Sequence, residues 1–355
     1  MAEIAFVLGT RAELIKSFPV IKRIECDVIA TGQHNLDTYA ELFGIEVKYL
    51  SKPPEKSSRF MGRVARASLW SMMLLPRIRG AIKKYDGVLY HGDTMSTAAA
   101  ALASKFEGKI GIHLEAGLRS FSYFEPFPEE IARKIADRFS SVLFSVSRTA
   151  TENLKNERIR GRIFETGNTI VDSALEAQKY FRGRTSAPRE FALITVHRHE
   201  NIRNRERMKR IVEIICGLPL PSIFFMHDNT RKFLEKYRLM EKLREAGVDI
   251  RPLCLYPEFV RYEKKARIIL TDGGSIQEES LIFKKPCFLL RYRTERVDAL
   301  GTGMNFLTKL DVEWTLKKVE EVLEPGWKPP RFRNPYGERG VSDKIVAILK
   351  EILLN

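Results

Sequence analysis

The sequence is poor in cysteine and lacks the residue patterns of a dedicated metal site. Its four cysteines, Cys26, Cys216, Cys254 and Cys287, lie far apart and mostly in apolar surroundings. No two of them have the spacing of a zinc or redox motif, so we expect buried free thiols. The six histidines include no His-Glu-x-x-His or similar arrangement. We therefore expect no metal ion.

Long apolar runs are also absent. No stretch approaches the ~20 residues that a membrane-spanning helix requires. The first ten residues contain Glu3 and run directly into a strand pattern, which is not typical of a signal peptide. No dinucleotide-binding glycine fingerprint follows the first strand, so no nicotinamide cofactor is expected. These absences predict a cytoplasmic protein with no membrane partner.

The net charge of +15 allows two interpretations. A basic face would attract the phosphates of a nucleic acid, whereas a generally charged surface would also favour a small anionic substrate. The basic residues are scattered, as at Arg203, Arg205 and Arg207, where they alternate with other residue types. No aromatic–basic RNA-binding module is present. We favour the second interpretation and expect no nucleic-acid partner.

Short β-branched runs alternate with helical patterns along a chain of 355 residues, which is long enough for two domains. In the first half, buried strands are predicted at Ile4–Leu8, Asp27–Thr31, Gly87–Tyr90, Lys109–Leu114 and Val142–Ser145. Helices are predicted at Met95–Phe106 and Pro128–Phe139. In the second of these helices, Ile131, Ile135 and Phe139 share one face, which we expect to face the core.

The pattern restarts after a polar, linker-like segment at residues 181–190. Further strands are predicted at Phe191–Val196, Ser222–Met226, Arg267–Thr271 and Cys287–Leu290, and a final helix at Ser342–Leu354. Alternating strands and helices indicate a parallel sheet covered on both sides. The fold class is therefore α/β, with two Rossmann-like doubly wound domains facing a cleft. Ligands of such sheets bind beyond the carboxyl ends of the strands.

Polar side chains follow the strands of the first domain at that edge. Arg11 and Lys16 come after the first strand, where an ordinary surface turn is an equally good interpretation. Asp93 could cap the next helix, and Glu115 could simply pair with Arg119. Glu129 suits the first turn of a helix that Pro128 opens. Together, however, Asp93, Glu115 and Glu129 would crowd three carboxylates on one rim, which would prepare acid/base catalysis.

The second domain offers groups that suit a diphosphate. His197 and Arg198 end one strand, and His227 ends another. The turn Gly273-Gly274-Ser275 lets backbone N–H groups approach a phosphate at a helix N-terminus. Ser275 and Glu278 also form a capping-box pattern, which leaves Glu279 unexplained. Arginines, including Arg296, follow the next strand.

Nine segments carry a resemblance to a known family. They are GTRAELIK (9–16), HGDT (91–94), HLEAGLRS (113–120), PFPEE (126–130), TGNTIVDS (166–173), HRHEN (197–201), GGSIQEE (273–279), TER (294–296) and NPYG (334–337). In this order they closely resemble the signature segments of the non-hydrolysing UDP-N-acetylglucosamine 2-epimerases. The resemblance implies a GT-B-like fold with an active site in the interdomain cleft. It also implies an N-terminal domain of residues 1–168 with the helix 342–355 packed on it, a UDP-binding domain of residues 169–341, and a homodimer.

The resemblance also assigns roles. It makes Asp93, Glu115 and Glu129 the acid/base carboxylates, with His197 as a further catalytic residue. It assigns substrate binding to Arg11, Lys16, Gly273, Gly274, Ser275, Glu279 and Arg296, with Glu279 at the ribose. From their positions near strand ends, we add Arg119, Arg198 and His227 as substrate-binding candidates. The sequence departs from the family pattern at Ala12, in the order Gly-Gly-Ser at 273–275, and around residues 59–66.

The implied activity is the reversible C2 epimerisation of UDP-N-acetylglucosamine through elimination and re-addition of UDP, without a cofactor or metal. The alternatives are a hydrolysing UDP-sugar 2-epimerase and a GT-B glycosyltransferase. A nucleic-acid-binding protein and a catalytically inactive sugar-nucleotide sensor are more distant alternatives.

Overall fold

A computed structural model describes residues 2–51, 73–121 and 128–354 of the chain. The chain forms two compact units. Unit 1 comprises Met1–Ser173 and Pro335–Asn355, and unit 2 comprises Ala174–Asn334. The C-terminal segment thus belongs to unit 1. The weakly matching region at residues 59–66 lies outside the described residues.

Unit 1 contains a parallel sheet of seven strands in the order β3-β2-β1-β4-β5-β6-β7. Its strands are β1 (Ile4–Leu8), β2 (Asp27–Ala30), β3 (Val47–Tyr49), β4 (Gly87–His91), β5 (Ile110–Ala116), β6 (Val142–Ser145) and β7 (Arg162–Glu165). The interior strand β1 is buried throughout, as expected for a strand with helices on both faces of the sheet.

The helices of unit 1 follow the strands in alternation. They are α1 (Arg11–Ile21), α2 (Asp37–Phe43), α3 (described over 73–82), α4 (Met95–Phe106), α5 (Glu129–Phe139), α6 (Arg148–Asn156) and the C-terminal α16 (Val341–Leu354), and α7 (Ile170–Ala177) leads into unit 2. Buried alanines of α4, such as Ala99 and Ala103, pack with Val7, Val88 and other strand residues in one core cluster. Alanine's small side chain lets the helix lie close to the sheet.

Unit 2 contains a parallel sheet of six strands in the order β10-β9-β8-β11-β12-β13. Its strands are β8 (Ala192–Thr195), β9 (Ser222–Met226), β10 (Asp249–Pro252), β11 (Ile268–Thr271), β12 (Cys287–Leu289) and β13 (Asn305–Leu307). Its helices are α8 (His199–Ile202), α9 (Arg205–Cys216), α10 (Asp228–Lys236), α11 (Met240–Glu245), α12 (Tyr256–Lys265), α13 (Ser275–Ile282), α14 (Val297–Leu300) and α15 (Val312–Leu323). Apolar side chains cover both faces of the sheet. The doubly wound α/β prediction is confirmed.

The predicted apolar face of α5 is wrong. Ile131 is 39% exposed and Phe139 is 37% exposed, whereas the opposite face buries Glu130, Arg133 and Asp137. A helix normally turns its apolar side inward. The inversion here follows from the ion pairs described below, because they keep the charged side chains inside.

The four thiols are all free, but only Cys287 is fully buried, and the other three are half-buried. Burial raises the pKa of Cys26 to about 12, and the charge of Asp27 adds to the effect. Within the described residues, no three histidine, cysteine or acidic side chains cluster in a way that could hold a metal ion. Of the helices in the described ranges, none is both long and apolar enough to cross a membrane.

Candidate active site

The carboxyl ends of β1, β4 and β5 lie side by side in the sheet of unit 1. Arg11 and Asp93 follow β1 and β4, and Glu115 lies near the carboxyl end of β5, so the topology places the three residues at one edge of the sheet. Lys16 reaches the same edge from α1, and its Nζ lies 2.6 Å from Glu115 Oε1. The structure thus brings these polar strand-end residues to one edge of the sheet.

Glu13, which the sequence interpretation did not select, joins two of the turns. It is 4% exposed, and its Oε2 accepts hydrogen bonds from the N–H groups of Gly9 at 2.6 Å and Thr10 at 2.7 Å. The hydroxyls of Thr94 and Thr97 donate to its Oε1 at 2.6 and 2.9 Å. Thr10 and Glu13 form a capping box. One buried carboxylate therefore holds the turn that carries Arg11 and the turn that carries Asp93.

Glu115 has a backbone conformation that aims it away from a regular strand. Its φ is +67°, and the pairing of β5 with β6 shifts register between Leu114 and Ala116. Such an irregularity re-directs a side chain and is common beside active sites. The carboxylate accepts hydrogen bonds from Lys16 at 2.6 Å and from Asn168 Nδ2 at 2.9 Å. Glu115 is therefore a fixed, buried carboxylate rather than a surface charge.

Gly92 lies against this carboxylate. Its φ is +75°, and a Cβ added there would come within 3.2 Å of Glu115 Oε2. Glycine is the residue that tolerates this conformation without strain. The turn of Asp93 and the side chain of Glu115 are thus in direct proximity.

The alternative that Glu115 simply pairs with Arg119 is wrong. Arg119 is fully buried and binds Asp137 Oδ2 at 2.7 Å, Glu157 through two hydrogen bonds, and its neighbour's carbonyl oxygen. Its guanidinium group is therefore engaged by the protein's own carboxylates. The predicted substrate-binding role of Arg119 is not supported by this geometry, and we assign Arg119 a positioning role.

Asp93 pairs with Arg133, which also binds Glu130 at 2.8 Å. Glu130 in turn accepts hydrogen bonds from the N–H and hydroxyl groups of Ser120, both at 3.0 Å. Glu129 is the first residue of α5 and is half-buried, with Pro128 at the N-cap rather than inside the helix. We expected crowded carboxylates to repel one another, but the structure gives Asp93 and Glu115 a cation each.

A buried histidine contacts the turn that carries Asp93. His113 Nε2 lies 2.8 Å from the carbonyl oxygen of Gly92, and its Nδ1 lies 2.7 Å from Asp137 Oδ1. Burial acts to raise the pKa of Asp137, but the hydrogen bonds from His113 and Arg119 outweigh it and leave the pKa below its ordinary value. Neighbouring His91 has its pKa lowered to about 3 by burial, so that it is neutral at pH 7.

In unit 2, Asp272 organises the predicted turn after β8. It is fully buried and accepts hydrogen bonds from the N–H groups of His197 and Arg198, both at 3.0 Å. Asn201 Nδ2 donates to it at 3.0 Å and to the carbonyl oxygen of Leu290 at 2.8 Å. An aspartate directly after a buried strand was the available sequence signal, and the sequence interpretation gave it no role.

Replacing Asp272 tests this role. Asp272→Asn places an amide donor against N–H donors, so we expect the free energy of unfolding to fall by about 1–3 kcal/mol. The measurement is urea unfolding followed by circular dichroism. The matched control is Asp249→Asn, whose carboxylate is half-exposed and pairs with Arg251, and which should cost at most about 1 kcal/mol. Equal effects of the two changes would contradict the assignment.

The glycine turn opens helix α13. Gly274 is the N-cap and has no side-chain capping hydrogen bond, so Ser275 is the first helical residue. The predicted capping box is therefore wrong, and Glu278 instead pairs with Arg296 Nε at 3.1 Å. A Cβ at Gly274 would lie 2.8 Å from Arg296 Nη1, so a larger residue there would displace the guanidinium group from the turn.

Arginines gather around one buried carboxylate beside this turn. Glu295 binds Arg296 Nη1 at 2.6 Å, Arg291 Nη2 at 3.0 Å and Arg198 Nη2 at 3.4 Å. Three guanidinium groups thus surround one glutamate at the N-terminus of α13. Glu278 and Glu200 are further ion-pair partners of Arg296 and Arg198, so the positive charges are matched by carboxylates. Guanidinium groups beside a helix N-terminus still suit a phosphate or diphosphate.

Two histidine rings lie at the same edge of this sheet. The ring centroids of His197 and His227 are 4.8 Å apart. Burial lowers the pKa of both, in His227 to about 4, with the neighbouring ring adding to the effect there. Both are therefore neutral at pH 7 and able to donate or accept a hydrogen bond.

Glu279 lies on α13, is 1% exposed and accepts a hydrogen bond from the Tyr256 hydroxyl at 2.5 Å.

Comparison with known families agrees with the residues found at the carboxyl edges of the two sheets. A family model described as UDP-N-acetylglucosamine 2-epimerase matches residues 20–350. The chain belongs to the UDP-N-acetylglucosamine 2-epimerase family. The chain is 36% identical over 369 residues to the UDP-N-acetylglucosamine 2-epimerase of Methanocaldococcus jannaschii, a match that covers 98% of each chain. It is also 34% identical to the UDP-2,3-diacetamido-2,3-dideoxy-D-glucuronate 2-epimerase of Pseudomonas aeruginosa, over 86% of this chain and 88% of that one.

Solved epimerase structures share the fold. The crystal structure of the Methanocaldococcus jannaschii enzyme in complex with UDP-N-acetylglucosamine and UDP superposes with a TM-score of 0.85 and 34% identity, over 98% of this chain and 99% of that one. The Neisseria meningitidis epimerase bound to UDP-N-acetylglucosamine gives a TM-score of 0.83 and 28% identity, over 98% and 100%. The predicted family and the GT-B-like fold class are thereby confirmed.

Proposed function

We propose that this protein inverts C2 of UDP-N-acetylglucosamine to give UDP-N-acetylmannosamine, without hydrolysing the sugar–nucleotide bond. The observation that carries the proposal is Glu115, a buried carboxylate turned out of its strand and fixed by Lys16 and Asn168. Family membership and the guanidinium groups beside the Gly274 turn support a UDP-sugar as the substrate.

The chemistry explains why both sets of residues are needed. The proton on C2 is barely acidic, so a base alone does not remove it. If the C1–O bond breaks and UDP leaves with the bonding electrons, loss of the C2 proton forms a C1–C2 double bond. UDP then adds back to C1 while a proton is delivered to the other face of C2. Atoms and charge balance, and no cofactor or metal is consumed.

Each unit supplies groups for one half of this sequence. In unit 1, Asp93, Glu115 and Glu129 are the proposed acid/base carboxylates, and Arg11 and Lys16 are proposed to contact the sugar or diphosphate. In unit 2, we propose that the departing diphosphate is held by Gly273, Gly274, Ser275 and Arg296, and the ribose by Glu279. Further polar contacts are proposed for Arg198, His197 and His227. Fixed cations and N–H groups lower the cost of the developing negative charge.

The test is to incubate the protein with UDP-N-acetylglucosamine in heavy water and follow the products by NMR. We expect deuterium at C2 and accumulation of UDP-N-acetylmannosamine. Free N-acetylmannosamine with UDP would indicate a hydrolysing epimerase instead. Transfer of the sugar to an added acceptor would indicate a glycosyltransferase, and unchanged substrate would contradict all three.

A further inference from the structure

The buried carboxyl group of Glu263 has no role in the proposed function. Glu263 lies on α12, and its relative exposure is 0%. Neither of its carboxylate oxygens accepts a hydrogen bond from a donor in the described ranges 2–51, 73–121 and 128–354. An ionised carboxylate without donors is very costly to bury. A glutamate at this position therefore needs an explanation other than packing.

Its neighbour is Glu279, the proposed ribose-binding carboxylate. Helices α12 and α13 pack against each other, and the two carboxyl groups lie within hydrogen-bonding reach. Two ionised carboxylates accept hydrogen bonds but donate none, so they can only repel each other. A single proton held by one of them converts the repulsion into a hydrogen bond.

The surroundings decide which carboxyl group keeps the proton. Glu279 accepts a hydrogen bond from Tyr256, which stabilises a negative charge on it. Glu263 has no such donor within the part of the chain that the structure describes. Among the described residues, the thiols of Cys254 and Cys287 are also titratable neighbours of Glu263, and burial raises the pKa of both far above neutrality. Burial first, and then the charge of Glu279, raise the pKa of Glu263 well above its ordinary value.

We propose that Glu263 is a positioning residue that stays protonated and donates a hydrogen bond to Glu279, and so orients that carboxylate toward the ribose hydroxyl groups of UDP. This inference rests on the proposed function, because Glu279 needs a nucleotide to act on. A ribose diol donates two hydrogen bonds and is best held by an ionised, fixed carboxylate. Glu263 supplies the fixation without adding a second charge.

The test compares Glu263→Gln, which keeps a neutral donor, with Glu263→Leu, which removes it in an apolar setting. Binding of UDP and of 2′-deoxy-UDP is measured by calorimetry near pH 7. We expect the Gln variant to bind UDP within about threefold of the unchanged protein. We expect the Leu variant to bind UDP roughly tenfold more weakly, with a smaller loss for 2′-deoxy-UDP.

The outcomes separate the inference from the proposed function. If the unchanged protein does not bind UDP, the proposed function is wrong and the inference fails with it. If the unchanged protein binds UDP and the Leu variant binds it equally well, the inference alone is wrong. An equal loss for UDP and 2′-deoxy-UDP also contradicts it, because the effect would then not act through the ribose.

The pH dependence of stability gives a second readout that does not depend on the Leu variant folding. The unfolded chain releases the Glu263 proton above about pH 4.3, whereas the folded protein retains it. The folded state therefore loses stability as the pH rises above that value, until the group ionises in the fold as well. The unfolding midpoint of the unchanged protein should fall relative to that of Glu263→Gln as the pH increases, and parallel curves would contradict the proposal.

Discussion

Glu115→Gln is expected to lower kcat/KM for C2 epimerisation about 10²- to 10⁴-fold, the usual contribution of a general acid or base. The amide keeps the size of the side chain and can still accept hydrogen bonds from Lys16 and Asn168, but it cannot exchange a proton with C2. Affinity for UDP should change little, because most of the proposed nucleotide contacts belong to unit 2 and the glutamine still accepts from Lys16. The measurements are steady-state kinetics and UDP calorimetry on the same preparation.

The matched control is Glu107→Gln. Glu107 lies in the same unit and forms an ion pair with Arg79 at 2.7 Å, but it has no proposed part in the chemistry. It should retain the full rate. If Glu115→Gln is as active as this control, Glu115 does not transfer a proton, and the proposed mechanism has to be built on other residues.

Glu13→Leu is expected to reduce the free energy of unfolding by about 2–6 kcal/mol, because two buried backbone N–H groups lose their acceptor at about 1–3 kcal/mol each. The Thr94 and Thr97 hydroxyls can rotate to other acceptors, so their loss adds less. The turns that carry Arg11 and Asp93 would no longer be held together, and turnover should be lost. Thermal and urea unfolding together with the epimerisation assay measure both effects.

The comparison variant here is Glu41→Leu, an exposed position on α2, which should change stability by no more than about 0.5 kcal/mol. Glu13→Gln adds an intermediate case, because its carbonyl oxygen can still accept from Gly9 and Thr10. Stability should therefore rank as unchanged protein, Gln, then Leu. A Leu variant as stable and as active as the unchanged protein would show that Glu13 does not organise the turns.

The central strands were predictable because they are continuous apolar runs that are buried on both faces. Four strands were not predicted, namely β3, β7, β10 and β13, and these are the outermost strands of the two sheets. Each has half-buried or exposed positions, as in Arg162–Glu165 and Asp249–Pro252. An edge strand is solvated along one side, so its sequence need not show the continuous apolar pattern on which the prediction relied.

The candidate site likewise contains residues that could be predicted from the sequence and residues that could not. Asp93, Glu115 and the Gly273–Gly274 turn could be found because polar residues directly after buried strands need an explanation other than packing. Glu13 could also have been found, since Thr10 and Glu13 have capping-box spacing. Arg133 could not, because nothing in the sequence of α5 shows that its large apolar residues face outward while three of its charged residues face inward. Nor does the sequence show that the roles of Arg133 and Glu263 depend on their burial.

The sequence by itself determined the alternation of strands and helices, the two sheets and the edges at which chemistry is expected, because these depend on local periodicity. The pairing of charges was decided only by the tertiary structure. Lys16 and Glu115 are 99 positions apart, and the fold gave Glu115 this partner while it gave Arg119 to Asp137 and Glu157. An ion pair depends on which side chains meet in space and on how little water reaches them, and neither is encoded in the spacing of residues along the chain.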